Sequence, residues 1–168
     1  DVEAKWELVN TQTLVKHPIG YAKGQPSNGT VFPSYGGGFY WVDGGFGNSV
    51  TLNLNLGWGP ISTSVSVGST GGTAGYFVSA PVNKPCKLFV YRDLTCKRYA
   101  NYERLIGTSK WWFKGYNTVV TPTRNYFEVR LVWTVRSIAS SPRYAFWQCW
   151  LFWSAVPTTP LLPQKPFV

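Results

Sequence analysis

Any catalysis in this chain must be assembled from one imidazole (His17), three thiols (Cys86, Cys96 and Cys149) and seven carboxylates. A nucleophilic triad would need His17 to meet a hydroxyl or thiol and a carboxylate, yet no Gly-x-Ser-x-Gly or cysteine–histidine signature accompanies it. Its neighbour Pro18 places it in a surface or loop-packing role. Glycoside hydrolysis needs two carboxylates flanking one bond, for which Asp43, Asp93, Glu103 and Glu128 are the candidates. Glu128 shares a strand face with Arg130 and Asp93 adjoins Arg92, so ion pairing accounts for both. The cysteine spacing fits no zinc pattern and a single histidine leaves too few ligands. Gly36-Gly37-Gly38 lacks the lysine and strand-to-helix setting of a phosphate loop and reads as a bend. The sequence predicts a protein that is not an enzyme and holds no cofactor or metal.

A second set of residues suits binding. Lys97-Arg98-Tyr99, Lys110-Trp111-Trp112-Phe113-Lys114 and Arg124-Asn125-Tyr126 interleave cations with aromatics. That pattern serves single-stranded nucleic acid, anionic lipid and wall polymer alike. Lys97, Arg98, Lys110, Trp111, Trp112, Lys114 and Arg124 are therefore the surface-binding candidates, and nucleic acid is the partner least expected of an exported chain. The plain alternative puts these cations on outer strand faces with the aromatics inside. Trp111-Trp112, or Trp147 with Trp153, could also stack on sugar rings. Adjacent strand residues face opposite ways, so at least one of Trp111 and Trp112 is expected in the core.

A third set concerns the membrane. From Gly44 to Asn83 the chain carries no charged side chain. Within that stretch Val50, Leu52, Leu54, Leu56 and Trp58 alternate with Thr51, Asn53, Asn55 and Gly57. After Gly59-Pro60, Ile61, Thr63, Val65 and Val67 alternate with Ser62, Ser64, Ser66 and Gly68. A period of two on both arms predicts paired strands joined by a tight turn. Sheets facing water normally carry Lys or Glu, which this one lacks. One apolar and one small polar face is what a β-barrel pore requires for its lipid and lumen sides. Val50–Trp58 is long enough to cross the hydrocarbon, which takes about 9–11 residues. Val50, Leu52, Leu54, Leu56, Trp58, Ile61, Val65 and Val67 are the membrane-contacting candidates, although an alternating hairpin is also an ordinary sandwich component.

The elements that must position these sets are strands. The 168 residues are 44% hydrophobic and 17% aromatic but only 14% charged, with 17 Gly and 12 Pro as punctuation. No stretch has the period and composition of a long helix. The pattern predicts strands over 1–17, 39–42, 76–80, 86–91, 97–102, 109–116, 126–136 and 145–153, besides the hairpin. Residues 18–38 are turn-rich, and Asn28-Gly29-Thr30 within them is a glycosylation triplet with nothing else to support its use. The expected fold is an all-β, single-domain antiparallel β-sandwich over 1–156, of about eight to ten strands, followed by an extended Pro-rich tail over 157–168. Twelve of the 16 Lys and Arg lie between Lys84 and Arg143 against three acids, so the net charge of +9 is concentrated there.

The absence of Met, at position 1 included, predicts that a secretory leader has been removed and that the chain is extracellular. No apolar run approaches the roughly 18 residues of a transmembrane helix. In an exported chain one cysteine pair is expected, and all three pairings of Cys86, Cys96 and Cys149 stay open, a small Cys86–Cys96 loop among them. Gly36–Thr70, with GGGFYWVDGG followed by SVTLNLNLGWGPISTSVSVGST, resembles a segment of small exported β-rich proteins of Gram-positive bacteria. In those, an alternating Ser/Val/Gly hairpin precedes Ala-Pro and a Lys/Tyr-rich strand, matched here by Ala80-Pro81 and Lys87–Arg92. The resemblance implies export and β structure, and assigns no catalytic residue. Together these features predict action at an anionic membrane or cell-wall polymer, with self-association into a homo-oligomer. A polysaccharide-binding module and a subunit of an extracellular assembly are the alternatives.

Overall fold

The computed structural model of the protein describes residues 1–133. Expectations for the 145–153 strand, the 156/157 boundary, the Pro-rich tail, Trp147, Trp153 and Cys149 lie outside the described residues. The described chain is all-β, with strands β1 (Val2–Tyr21), β2 (Gly38–Trp41), β3 (Ser49–Leu56), β4 (Gly59–Ser66), β5 (Tyr76–Ser79), β6 (Cys86–Leu105) and β7 (Trp112–Leu131). They form a three-stranded sheet in the order β1-β6-β7 and two ribbons, β2-β5 and β3-β4, all antiparallel.

The long sheet departs from the predicted string of short strands. Its three members have 20 residues each and extend about 65 Å at roughly 3.3 Å per residue. Strands expected at 86–91 and 97–102 are one continuous β6. No Gly or Pro interrupts Arg92–Lys97, and a register shift between Arg92 and Leu94 absorbs the irregularity. Segments expected at 109–116 and 126–136 likewise merge into β7, which ends at Leu131. Pro122 is tolerated there because β7 is an edge strand among the described residues. β1 runs past residue 17, through Pro18 on the other edge, by way of three register shifts. One of these holds Lys16 at φ 50°, and its N–H donates to Asp93 Oδ1 at 2.7 Å.

β6 organises the core. Alternate residues Cys86, Leu88, Val90, Arg92, Leu94 and Cys96 are buried on one face, under the two ribbons. β2-β5 supplies Phe39 and Trp41 over Cys86, Leu88 and Val90. β3-β4 supplies Leu54, Leu56, Val65 and Val67 over Leu94, Cys96 and Ile19 of β1. The opposite face of β6 presents Lys87, Phe89, Tyr91, Thr95 and Lys97, none of them buried.

Of the three open pairings, the small Cys86–Cys96 loop is excluded by this arrangement. The two thiols lie ten residues apart on one extended strand. That separates them by about 33 Å, far beyond the roughly 7 Å limit between bonded α-carbons. Burial also pushes both thiols above their ordinary pKa, which slows any oxidation. Peptide mapping without reductant is expected to find no Cys86–Cys96 linkage, and recovering one would contradict the course of β6.

Candidate functional site

β3 and β4 pair only with each other, with Val50 opposite Val65 and Leu54 opposite Ile61. The turn is Gly57-Trp58, two residues before the expected Gly59-Pro60. A two-residue turn suits the twist of the paired strands, and Pro60 is accepted because the ribbon's edges are open. All eight predicted membrane-contacting residues lie in the layer against the long sheet. Leu54, Leu56, Val65 and Val67 are buried, while Val50, Leu52, Trp58 and Ile61 are partly buried around them. On the other face Thr51, Asn53, Asn55, Ser62 and Ser64 are exposed.

The attachment of this ribbon is unusual. Among the described residues, no backbone hydrogen bond joins β3 or β4 to the long sheet. Two bonds involving side chains hold its tip: Gly57 N–H donates to Gln12 Oε1 at 2.8 Å, and Trp58 Nε1 to Thr118 Oγ1 at 3.3 Å. Between this tip and the base, the contact with the long sheet is apolar. Four buried side chains at about 1.5–3 kcal/mol each make detachment into water prohibitive, whereas transfer into lipid would return that energy. The ribbon is thus held by a term that a bilayer can replace, not by a ladder that it cannot.

Its base is held differently. Arg92, on the inward face of β6 between the two apolar clusters, is 2% exposed. Its Nη2 lies 2.6 Å from Asp43 Oδ1, and its guanidinium carbon 5.5 Å from the Trp41 ring centre. The approach to Asp43 is off the hydrogen-bonding direction, so Nε and Nη2 make no well-directed bond and the contact is chiefly ionic. The same Oδ1 accepts from Ser66 Oγ at 3.0 Å, at the end of β4, and from Gly44 N–H at 2.8 Å. Partial burial pushes the Asp43 carboxyl up, but the adjoining Arg92 guanidinium and the bonds from Ser66 and Gly44 outweigh it, and the net shift is downward. Trp41 Nε1 donates to Val67 O at 3.0 Å, and Val67 N–H to Asn48 O at 2.7 Å. Gly68 follows at φ 65°, where a Cβ would collide with the Trp41 indole. Both ends of the ribbon therefore meet at one ionic clasp.

Sequence reasoning missed this clasp and paired Arg92 with Asp93. Neighbours on a strand face opposite ways, and Asp93 instead accepts from Lys16 N–H and, at 3.0 Å, from Tyr126 Oη. Continuing the alternation Cys86, Leu88, Val90 by one step would have placed Arg92 on the apolar face. The expected Glu128–Arg130 pair is present at 3.1 Å. Bonds from Tyr91 and Arg130 hold Glu128 below the usual carboxylate range. Glu103 faces Lys114 at 3.2 Å. The Asp43 and Glu128 shifts run opposite to the raised pKa that a general acid needs. His17 is partly buried in β1, in register with Arg92. Among the described residues no three His, Cys, Asp or Glu come together as a metal set.

The predicted surface-binding residues are not gathered into one patch. Arg98 stacks 3.6 Å above the Tyr116 ring, on the face that carries the ribbons. Trp111 lies beneath Lys5 and Arg104, at 4.8 and 4.6 Å. Contrary to the core expectation neither tryptophan of the pair is buried, Trp111 being half-covered and Trp112 exposed. Lys97 is exposed on the opposite face of β6, Lys110 in the β6–β7 turn, Lys114 on β7, and Arg124 far along β7 over Tyr126. Near that last position an open trough of about 810 Å³ is lined by Lys16, Tyr76, Phe77, Arg124 and Tyr126 among others. No family model, curated protein or solved structure matches this chain.

Proposed function

We propose that this is an exported, non-enzymatic protein that acts at anionic membranes, its 50–68 ribbon swinging off the long sheet to contribute two strands to a pore. The observation that carries this reading is the ribbon's attachment: an uncharged hairpin, buried by its apolar face alone and tied to the long sheet by no backbone ladder. With Trp58 and Val67 each arm alternates over nine residues, close to the roughly 9–11 that span the hydrocarbon. In a membrane the apolar face would meet lipid, and the Thr, Asn and Ser face would line water. Cations contribute attraction of about 1 kcal/mol each when near an anionic surface. Because they occupy both faces and both ends, only a subset can meet one plane. The ribbons form a second layer on the long sheet, and we read the domain as a β-sandwich on that basis.

A second reading rests on the trough. Exposed Tyr76 and Phe77 beside Lys16 and Arg124 offer rings and charge to an anionic polysaccharide. Dye release from vesicles separates the two. Leakage is expected from vesicles containing phosphatidylglycerol, weaker from pure phosphatidylcholine, and reduced by salt. No leakage from either at about micromolar protein, a range typical of moderate affinity, together with retention on insoluble acidic polysaccharide, would reject the pore in favour of binding.

A further inference from the structure

One hairpin cannot close a barrel. The smallest transmembrane barrels have about eight strands, so about four copies giving two strands each is the minimum. The pore reading, on which this inference rests, therefore demands a surface joining copies side by side. The long sheet supplies two such surfaces: β1 and β7 each pair with β6 and with no other strand among the described residues. Open edges of this length are templates for strand addition.

The two edges are matched in extent. Leu14 of β1 and Pro122 of β7 lie level with each other, both opposite Leu94 of β6. Beyond that level β1 is broken by Lys16 at φ 50° and by Pro18, while on β7 the proline itself lacks an N–H. Lys16 and Arg124 would also confront each other there as like charges. On the near side, Val2–Leu14 and Trp112–Thr121 remain extended and pairable.

The exposed side chains are compatible with pairing there. The charges along this stretch are paired within the chain, Lys114 with Glu103, Glu3 with Arg104 and Glu7 with Lys5, so neither edge opposes the contact with an unbalanced charge. On the sheet face away from the ribbons, Trp6 and Leu8 of β1 are 54% and 52% exposed, and Trp112 and Val119 of β7 are 41% and 44% exposed. Side-by-side copies would bring these into one apolar band. We propose that β7 of one copy pairs in parallel, in register and head to tail, with β1 of a second copy over these segments, closing a ring.

A cysteine pair reads this directly. Leu8 and Asn117 are both level with Tyr99. Within one chain they are separated by two strand spacings, roughly 10 Å, out of disulfide reach, whereas across the proposed contact they are one spacing apart. The full-length Leu8→Cys/Asn117→Cys protein, oxidised on phosphatidylglycerol vesicles, is expected to give a ladder of covalent multimers. Leakage without a ladder would overturn the interface and leave the pore reading standing. A ladder without leakage would support the interface and reject the pore. Neither would reject both. Slow amide exchange along Trp112–Thr121 in the monomer, beyond the amides bonded to β6, would also overturn it, since the edge would already be occupied.

Discussion

Fastening the tip of the ribbon to β1 is expected to abolish vesicle leakage, and reduction should restore it in full. Gly57 N–H already donates to Gln12 Oε1 at 2.8 Å, and a Cβ at Gly57 would stand 3.5 Å from that oxygen, in ordinary contact. Gln12→Cys with Gly57→Cys, joined directly or by a short dithiol linker, would hold the turn without disturbing Leu54, Leu56, Val65 or Val67. The fold should survive because no buried side chain changes. Swinging the ribbon into lipid needs the tip to leave β1 by tens of ångströms, since the arms are about 26 Å long at roughly 3.3 Å per residue, so one covalent tie suffices to prevent it. Leakage that persists in protein shown by mass to be fully linked would sink the release mechanism. Leu54→Asp would be a poorer test. Burying a carboxylate at a 2% exposed site unfolds the ribbon's core and abolishes leakage for a trivial reason.

Asp43→Asn is expected to lower stability and quicken leakage together. The amide can still accept from Gly44 and Ser66, but Arg92 then keeps a buried charge without a counter-ion. Breaking a buried pair costs about 3–5 kcal/mol, and the low end applies here because Asp43 is half in water. The loss falls at the clasp joining both ends of the ribbon, so the leakage half-time should shorten as the urea midpoint drops. Adding Arg92→Met removes the stranded charge and should recover most of the midpoint while leaving the clasp open. An unchanged leakage rate in Asp43→Asn, despite lower stability, would show that the clasp does not restrain the ribbon. The pH dependence follows from the sign of the shift. Asp43 titrates below its ordinary value of 3.8 when folded. Its contribution is therefore complete above that value and is lost only as pH falls below it. Leakage should show no Asp43-dependent change between about pH 5 and 7, where an unperturbed carboxyl is already ionised.

The ribbon was legible in the sequence because strand periodicity is local: alternate side chains must face opposite ways whatever surrounds them. Forty uncharged residues and the Leu/Val against Asn/Ser alternation were enough to predict two faces and an all-β chain. The turn was misplaced by two residues, since Trp58 continues the apolar alternation although it belongs to the loop. The last long strand was read as two fragments because a bulge between Pro122 and Asn125 interrupts its period without ending the strand. Partnerships were beyond reach. Asp43 meets Arg92, 49 positions further along the chain, only because β2 carries its C-terminal flank over the centre of β6. The edges of β1 and β7 are level only because both are registered on that same strand. Local chemistry determined what the ribbon is made of; non-local register decided what it rests on and what restrains it.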